Sequence, residues 1–357
     1  MLWKIRKIKE CTREIFAWSL FHLNRLWIIR ILSNRYKAKI MKSGKFVFPY
    51  IAKRKANNLQ ILLYHRVNDE KDHFFEGVPV DIFSQQMEYL SSYFHILPLV
   101  EAAERMKRND LPDNALVVTF DDGYKDNYQY AFPILKKFSI PATIFLATGP
   151  IGSQNMLWHD RVFSAFRHTQ KSSLLFYGQG KKMFSLKTLE EKIFAQGEIL
   201  NYLRSLDGDK TDAWIEWLTN ELEIVVPHNQ DHLMLNWDQI KEMSRWKISF
   251  GAHTVTHPIL SNLSFKKAWY EINESKQVIE KNLNTRVTTF AYPNGREGDF
   301  NETTKNILKD LGMTYAATTI FGTNEKGSDL LELRRGGPWE SFLPLFATKM
   351  YWYKFCG

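Results

Sequence analysis

The chain has 357 residues, 44% hydrophobic and 14% aromatic, with a formal net charge of +9. That is enough apolar material for one large or two modest cores, and it excludes a disordered or low-complexity chain. The two cysteines, Cys11 and Cys356, stand at opposite ends outside any Cys-x-x-Cys pair, so neither a disulfide framework nor a thiolate zinc site is supported.

The charge is unevenly placed. Residues 1–55 hold 15 Lys and Arg against Glu10 and Glu14, a net of +13, and the remainder stands at −4 with 33 basic and 37 acidic residues. Within this arm, Ile15 to Leu32 is strongly apolar and carries Trp18 and Trp27, but Arg25 and Arg30 interrupt it. No charge-free run approaches the ~20 residues of a spanning helix, and no small-x-small cleavage pattern follows. The segment reads as a basic amphipathic arm, either lying in an anionic membrane interface or packed on the protein's own body with its charges snorkelling outward. Nucleic acid is not expected, because no binding module accompanies the charge. The expected location is cytoplasmic, peripheral on the inner face of the membrane.

From Gln60 the pattern alternates between strands and helices. Ile61–Tyr64 is a short apolar run, followed by a helix over Ile82–Phe94, a strand over His95–Leu99 and a helix over Val100–Arg108. Ala115–Phe120 reads as a strong buried strand, Tyr128–Phe138 as a helix and Ala142–Ala147 as the next strand. Further strands fall at Ile248–Ala252, Val287–Tyr292 and Tyr315–Thr319, with helices at Phe265–Asn282 and Thr303–Leu311. Such alternation indicates a parallel sheet or barrel. Residues from about 153 to 246 break the rhythm with helical stretches at Trp158–Arg167, Thr188–Arg204 and Asp212–Leu222, read as a helical insertion between two barrel strands. The expected organisation is an arm at 1–55, an α/β barrel at 56–345 containing the insertion, and an aromatic C-terminal tail at 346–357.

Three segments carry chemistry. Thr119-Phe120-Asp121-Asp122-Gly123 ends the strongest strand, where parallel α/β folds place their sites. Neighbouring side chains point different ways there, so one carboxylate can bind a metal while the other addresses a water. His253-Thr254-Val255-Thr256-His257 follows another strand, and two His at i and i+4 can share one ion. Two His and one carboxylate leave coordination positions open, the pattern of a catalytic site. Leu63-Tyr64-His65 ends the first barrel strand and makes His65 a candidate acid, because imidazole titrates near neutral pH.

These segments resemble the polysaccharide deacetylase family, the NodB-homology group also called carbohydrate esterase family 4. Residues 119–123 match its T-F-D-D-G motif and residues 253–257 its H-[ST]-x-x-H motif. The resemblance spans roughly Gln60 to Arg335 apart from the insertion. It implies an irregular (β/α) barrel with fewer than eight regular units. It also implies Asp121 as general base, and Asp122, His253 and His257 as ligands of a divalent metal, usually zinc. Two departures stand out. In the third motif, R-x-P-Y, the Arg is replaced by Ala291 and the Tyr by Asn294, leaving Pro293; Arg334 and Arg335 are candidates for the lost cation. The L-x-H motif, normally near the C-terminus, is met instead by Leu63-Tyr64-His65, and no His follows His257. That permutation resembles the exopolysaccharide N-deacetylase branch, whose members act on N-acetylglucosamine polymers.

The expected reaction is metal-assisted removal of N-acetyl groups from amino sugars of a polysaccharide or glycan precursor. A backbone N–H near Tyr124 or Asn294 is expected to hold the oxyanion, and His65 to protonate the departing amine. The alternatives are a catalytically silent glycan-binding member of the fold, and a deacylase of a non-sugar amide or an O-acetyl ester.

Overall fold

The computed structural model describes residues 57–178, 180–224, 233–337 and 340–353. The arm expected at 1–55 lies outside the described residues. Among the described residues, no helix is long and apolar enough to cross a membrane.

The strands β1 (Gln60–Tyr64), β3 (Ala115–Phe120) and β4 (Ala142–Leu146) are buried along their whole length. Burial on both faces is what a parallel sheet covered by helices imposes, and it explains their continuous apolar runs. With β2 (His95–Ile96), β7 (Ile248–Ala252), β8 (Thr289–Ala291) and β9 (Tyr315–Ala317) they form one parallel sheet, in the order β1-β3-β4-β7-β8-β9 with β2 on β3. The register sets Tyr64 beside Phe120, Leu146 beside Ala252 and Ala252 beside Phe290, so the C-terminal ends of the strands lie together.

The sheet curls into an irregular barrel, and a non-repetitive segment closes it. Leu333 exchanges backbone hydrogen bonds with Ala316 and Thr318 at the β9 edge (both 2.8 Å). Gly336 does the same with Ile61 (2.9 Å) and Leu63 (3.1 Å) at the β1 edge. Gly336 has to be a glycine here, because a Cβ would lie 2.7 Å from the ring of Tyr353.

Helices cover the sheet: α1 (Val80–Tyr93), α2 (Leu99–Arg108), α3 (Phe132–Lys137, entered through a π-turn at Asn127–Ala131), and further on α8 (Phe265–Leu283) and α9 (Glu302–Asp310). The strand expected over His95–Leu99 is only two residues long. Pro98 caps α2, and a proline has no N–H to extend a ladder. Similarly, β8 and β9 are three residues each, shorter than the apolar runs that announce them.

Between β4 and β7 the insertion contains α4 (Trp158–His168), α5 (Leu189–Leu203), α6 (Gly208–Glu221) and α7 (Trp237–Ser244). It also contains a feature the helical reading left out, an antiparallel hairpin of β5 (Ser173–Phe176) and β6 (Lys182–Ser185). Phe166, Leu174, Phe176, Phe184, Ile199 and Leu218 give it a hydrophobic core of its own.

Of the residues expected as an aromatic tail from 346, those described, 346–353, lie in α10 (Leu343–Tyr353), which packs Phe346, Met350 and Tyr353 into the main core, and 354–357 lie outside the described residues. The Tyr353 hydroxyl lies 3.0 Å from both the Ile61 and Gly322 carbonyls, beside the closing segment. Phe346→Ala should therefore cost about 3–5 kcal/mol of folding stability. Urea denaturation reads this directly, and an unchanged midpoint would mean that residues 343–353 are not part of the folded body.

Candidate active site

Strand periodicity assembles the site. Side chains two apart share a face, so Leu63 carries His65, Thr119 carries Asp121 and Gly251 carries His253 onto one side of the sheet. Each of these three residues is the first after its strand.

The backbone then departs from extended geometry. Asp122 (φ 73°), Thr254 (φ 69°) and His257 (φ 62°) all adopt the left-handed region. Non-glycine residues hold such angles only where surroundings over-determine them, at a cost of order 1–3 kcal/mol each. Here the turns bring Asp122 next to Asp121's cavity and fold His257 back toward His253. The second loop is braced by Glu271 of α8. Its carboxylate accepts from the backbone N–H of Val255 (2.8 Å) and Thr256 (2.9 Å) and from the Thr256 hydroxyl (2.8 Å). The Thr254 hydroxyl accepts from the His257 N–H at 3.0 Å.

Asp122, His253 and His257 converge, with one potential ligand atom from each lying within 4.8 Å of the others. Nε2 of either imidazole is 3.4 Å from the same oxygen, Asp122 Oδ1, and that buried oxygen has no hydrogen-bond partner. A tetrahedral zinc site with arms of about 2.1 Å has ligand–ligand edges of about 3.4 Å, so the spacing and the orphaned oxygen both fit an ion. His253 Nδ1–H donates to the Ala291 carbonyl (2.7 Å), which leaves Nε2 as the lone-pair nitrogen facing the cluster. This also gives the altered third motif a use, since the residue in the Arg position contributes its backbone.

Asp121 has a different environment. Its two carboxylate oxygens take a fork from Arg335, Nη1 to Oδ1 at 2.8 Å and Nη2 to Oδ2 at 2.6 Å. Both side chains are buried, Arg335 at 0% and Asp121 at 3% exposure. Arg335 is held in turn by Nε–H to the Thr318 carbonyl (2.7 Å) and by Nη1 to the Thr119 hydroxyl (3.2 Å). It belongs to the segment that closes the barrel, and it places a guanidinium on Asp121, whereas position 291 is an alanine. Arg334, the other candidate, is exposed and makes only backbone hydrogen bonds with Asn324 among the described residues.

The electrostatics are those of a crowded, dehydrated cluster. Burial pushes the Asp122 carboxyl up, but the His253 contact and the nearby His257, His65 and His159 outweigh it and hold the group below the usual carboxylate range. Burial pushes His257 well below an ordinary histidine, and pushes His65 down against the pull of Asp122 and Asp121. Burial also opposes protonation of His253, but Asp122 raises it overall. The charges acting on the His65 imidazole are Asp122, Asp121, Arg335 and His253, so it belongs to the same cluster.

The remaining expected positions lie at the rim. The Tyr124 backbone N–H meets no acceptor among the described residues, and its hydroxyl is engaged by His159 and Asp160. Pro293 and Asn294 follow β8; the Asn294 Nδ2 is buried without a partner, and no hydrogen bond ties either residue to the Asp–His cluster among the described residues. The sequence reading did not single out His159, Asp160, Trp158 or Glu271. None stands at a motif spacing, and only the folded chain brings them to residues 122–124 and 253–257.

The polysaccharide deacetylase family pattern matches residues 108–316, more than half of the chain. The Bacillus subtilis protein YxkH, provisionally named a polysaccharide deacetylase, is 23% identical over 299 residues, 83% of this chain and 77% of that protein. The Staphylococcus aureus poly-beta-1,6-N-acetyl-D-glucosamine N-deacetylase is 32% identical over 120 residues, 33% of this chain and 41% of that enzyme, so that match spans less than half of the relative. Among solved structures, the Streptococcus pyogenes deacetylase PplD, in complex with acetate, is 24% identical with a TM-score of 0.52, covering 78% of this chain and 91% of that one. IcaB from Ammonifex degensii is 21% identical with a TM-score of 0.54, covering 83% and 97%. With the family pattern spanning both ligand-bearing loops and the barrel shared with these structures, the chain belongs to the polysaccharide deacetylase family.

Proposed function

We propose that this protein is a metal-dependent carbohydrate N-deacetylase that hydrolyses N-acetyl groups of amino sugars in a glycan. The observation that carries the reading is the convergence of Asp122, His253 and His257 beside a second carboxylate, Asp121, which takes a two-bond fork from Arg335. The partial match to the Staphylococcus aureus enzyme supports an N-acetylglucosamine polymer as the substrate class.

Asp122, His253 and His257 would hold a divalent ion, zinc by the donor set. Such an ion, when bound, acidifies a water and polarises the acetyl carbonyl. Asp121 takes the proton of the attacking water, and the Arg335 fork keeps its carboxylate oriented. The Tyr124 N–H is placed to donate to the developing oxyanion. His65 gives a proton to the departing amine, without which the tetrahedral intermediate reverts. A catalytically silent glycan binder is the second reading. Its main ground is the missing motif Arg, and the Asp121–Arg335 pair weighs against it.

The direct test is mass spectrometry of products from β-linked N-acetylglucosamine oligosaccharides at defined zinc concentrations. Loss of one acetyl mass per turnover is expected, and its absence across that panel at saturating metal would leave the silent binder. His253→Ala should lose stoichiometric zinc with the fold intact. His65→Ala should keep the metal and lower kcat by ~10²–10⁴-fold, with a smaller loss on O-acetyl esters, whose leaving group needs less protonation. Near-normal turnover of amide substrate by His65→Ala would remove the acid from this position.

Arg335→Ala removes the fork from the buried Asp121 carboxylate, and should cost about 3–5 kcal/mol in urea denaturation. Arg335→Lys should recover only part of the loss, since one ammonium cannot reproduce the fork. Full recovery by Lys would show that net charge alone, rather than geometry, matters at this position.

The arm at 1–55 is proposed to hold the protein on an anionic membrane at the cytoplasmic face, on the strength of its +13 charge and interleaved tryptophans. Deleting residues 1–55 should release it from phosphatidylserine vesicles, and equal binding by the shortened chain would rule this out.

A further inference from the structure

The insertion enters the barrel's catalytic end through α4, and three consecutive residues of its first turn meet the site. Trp158 Nε1–H donates to the His257 carbonyl at 2.9 Å. The His159 ring stands edge-on to the His257 ring, with centroids 4.9 Å apart, and its Nε2 is 3.1 Å from the Tyr124 hydroxyl. Asp160 Oδ1 accepts from the same hydroxyl at 3.0 Å. Tyr124, His159 and Asp160 are all buried. The Tyr124 hydroxyl has one proton, and it goes to the carboxylate, so the His159 contact is Nε2–H donating to the tyrosine oxygen.

These contacts reach both loops that carry the metal ligands. Tyr124 lies two residues after Asp122, and His257 is itself a ligand position. His257 is also held in the left-handed region, which turns its carbonyl outward; Trp158 is the partner that receives it. A strained residue of this kind stays in place only if its peptide group is fixed from outside. Glu271 fixes residues 255 and 256 but makes no hydrogen bond to His257 itself.

We propose that the first turn of the insertion is a clamp on the metal centre, in which Trp158, His159 and Asp160 hold the Asp122 loop and His257 at ligand distance. This rests on the metal reading given above. The three are positioning residues, acting through His257 and Tyr124 without touching substrate. The insertion is therefore a structural part of the ligand set, and the loops 121–124 and 253–257 are cross-linked through it rather than through the sheet alone.

The test is zinc affinity of the full-length protein, measured by competition with a chromophoric chelator, alongside melting of the metal-free form. Trp158→Phe deletes one donor and keeps an aromatic ring; Tyr124→Phe deletes the hydroxyl shared by His159 and Asp160. Each should weaken zinc binding by about 10–100-fold, the range for outer partners of metal ligands, with the metal-free melting curve unchanged. Excess zinc should return turnover of Trp158→Phe toward that of the wild type. Trp217→Phe, in the insertion's separate core, should lower the melting temperature and leave zinc affinity alone. Affinity within twofold of wild type in both variants overturns the clamp. So does a loss of affinity that merely tracks a loss of metal-free stability in both. If the wild-type chain itself binds no zinc, the metal reading fails first and the clamp falls with it, an outcome distinct from variants that bind as well as wild type.

Discussion

The buried pair of Asp121 and Arg335 is the constraint around which the rest of the site is arranged. Removing two charges from water costs several kcal/mol each, and an apolar pair of similar volume would often serve stability equally well. The cost is met here by complete pairing. The fork satisfies both carboxylate oxygens, and Nε and Nη1 find the Thr318 carbonyl and the Thr119 hydroxyl. Stability alone does not call for such an arrangement. The fork also fixes the orientation of the Asp121 carboxylate beside Asp122. Because Arg335 sits on the segment that bridges β9 to β1, closing the barrel also brings the guanidinium to Asp121. A chain that failed to close would leave Asp121 without its cation.

The second carboxylate solves the opposite problem. Asp122 is free of arginine and faces two imidazoles, one oriented by the Ala291 carbonyl. Neutral imidazole is the form that binds metal, and burial keeps His257 in that form well below the ordinary pH of histidine titration. Adjacent residues in the sequence thus receive different partners, because the chain turns between them into the left-handed region at Asp122. One is forked by an arginine and the other faces two imidazoles, so identical side chains receive different environments.

Periodicity made much of this legible. The buried runs at 61–64, 115–120 and 248–252 announce parallel strands, and strand alternation puts His65 on the face that holds Asp121; the register through β4 then adds His253 to that face. The strand at 95–99 is overestimated, because hydropathy does not register the N–H that Pro98 lacks. Arg335 is hidden for another reason. It lies 214 residues from Asp121, on a segment with no strand or helix pattern, and adjacent Arg334 offers the same chemistry. Only the closed barrel separates them, turning one guanidinium inward and the other to solvent. The hairpin β5–β6 was overlooked because its strands are four residues each, flanked by longer helical patterns that dominate the window.

Topology explains why the insertion touches the site where it does. The strands β4 and β7 are parallel neighbours paired from Ala142–Ile248 to Leu146–Ala252. A connection between them leaves at the catalytic end and must return to the opposite end of the barrel. Its first helix, α4, therefore starts against the ligand loops, whereas its last, α7, leads down to Ile248. On the way back the chain passes the Asp loop once more. Leu235 N–H donates to the Gly123 carbonyl and Lys125 N–H to the Leu233 carbonyl, both at 2.9 Å, so Tyr124 is framed by the insertion's return as well as by its entry. The same bridge turns the Tyr124 N–H away from residue 234, and it meets no acceptor among the described residues. An insertion at this point of the barrel starts and returns beside the loops that carry Asp122 and His257, and it has a hydrophobic core of its own.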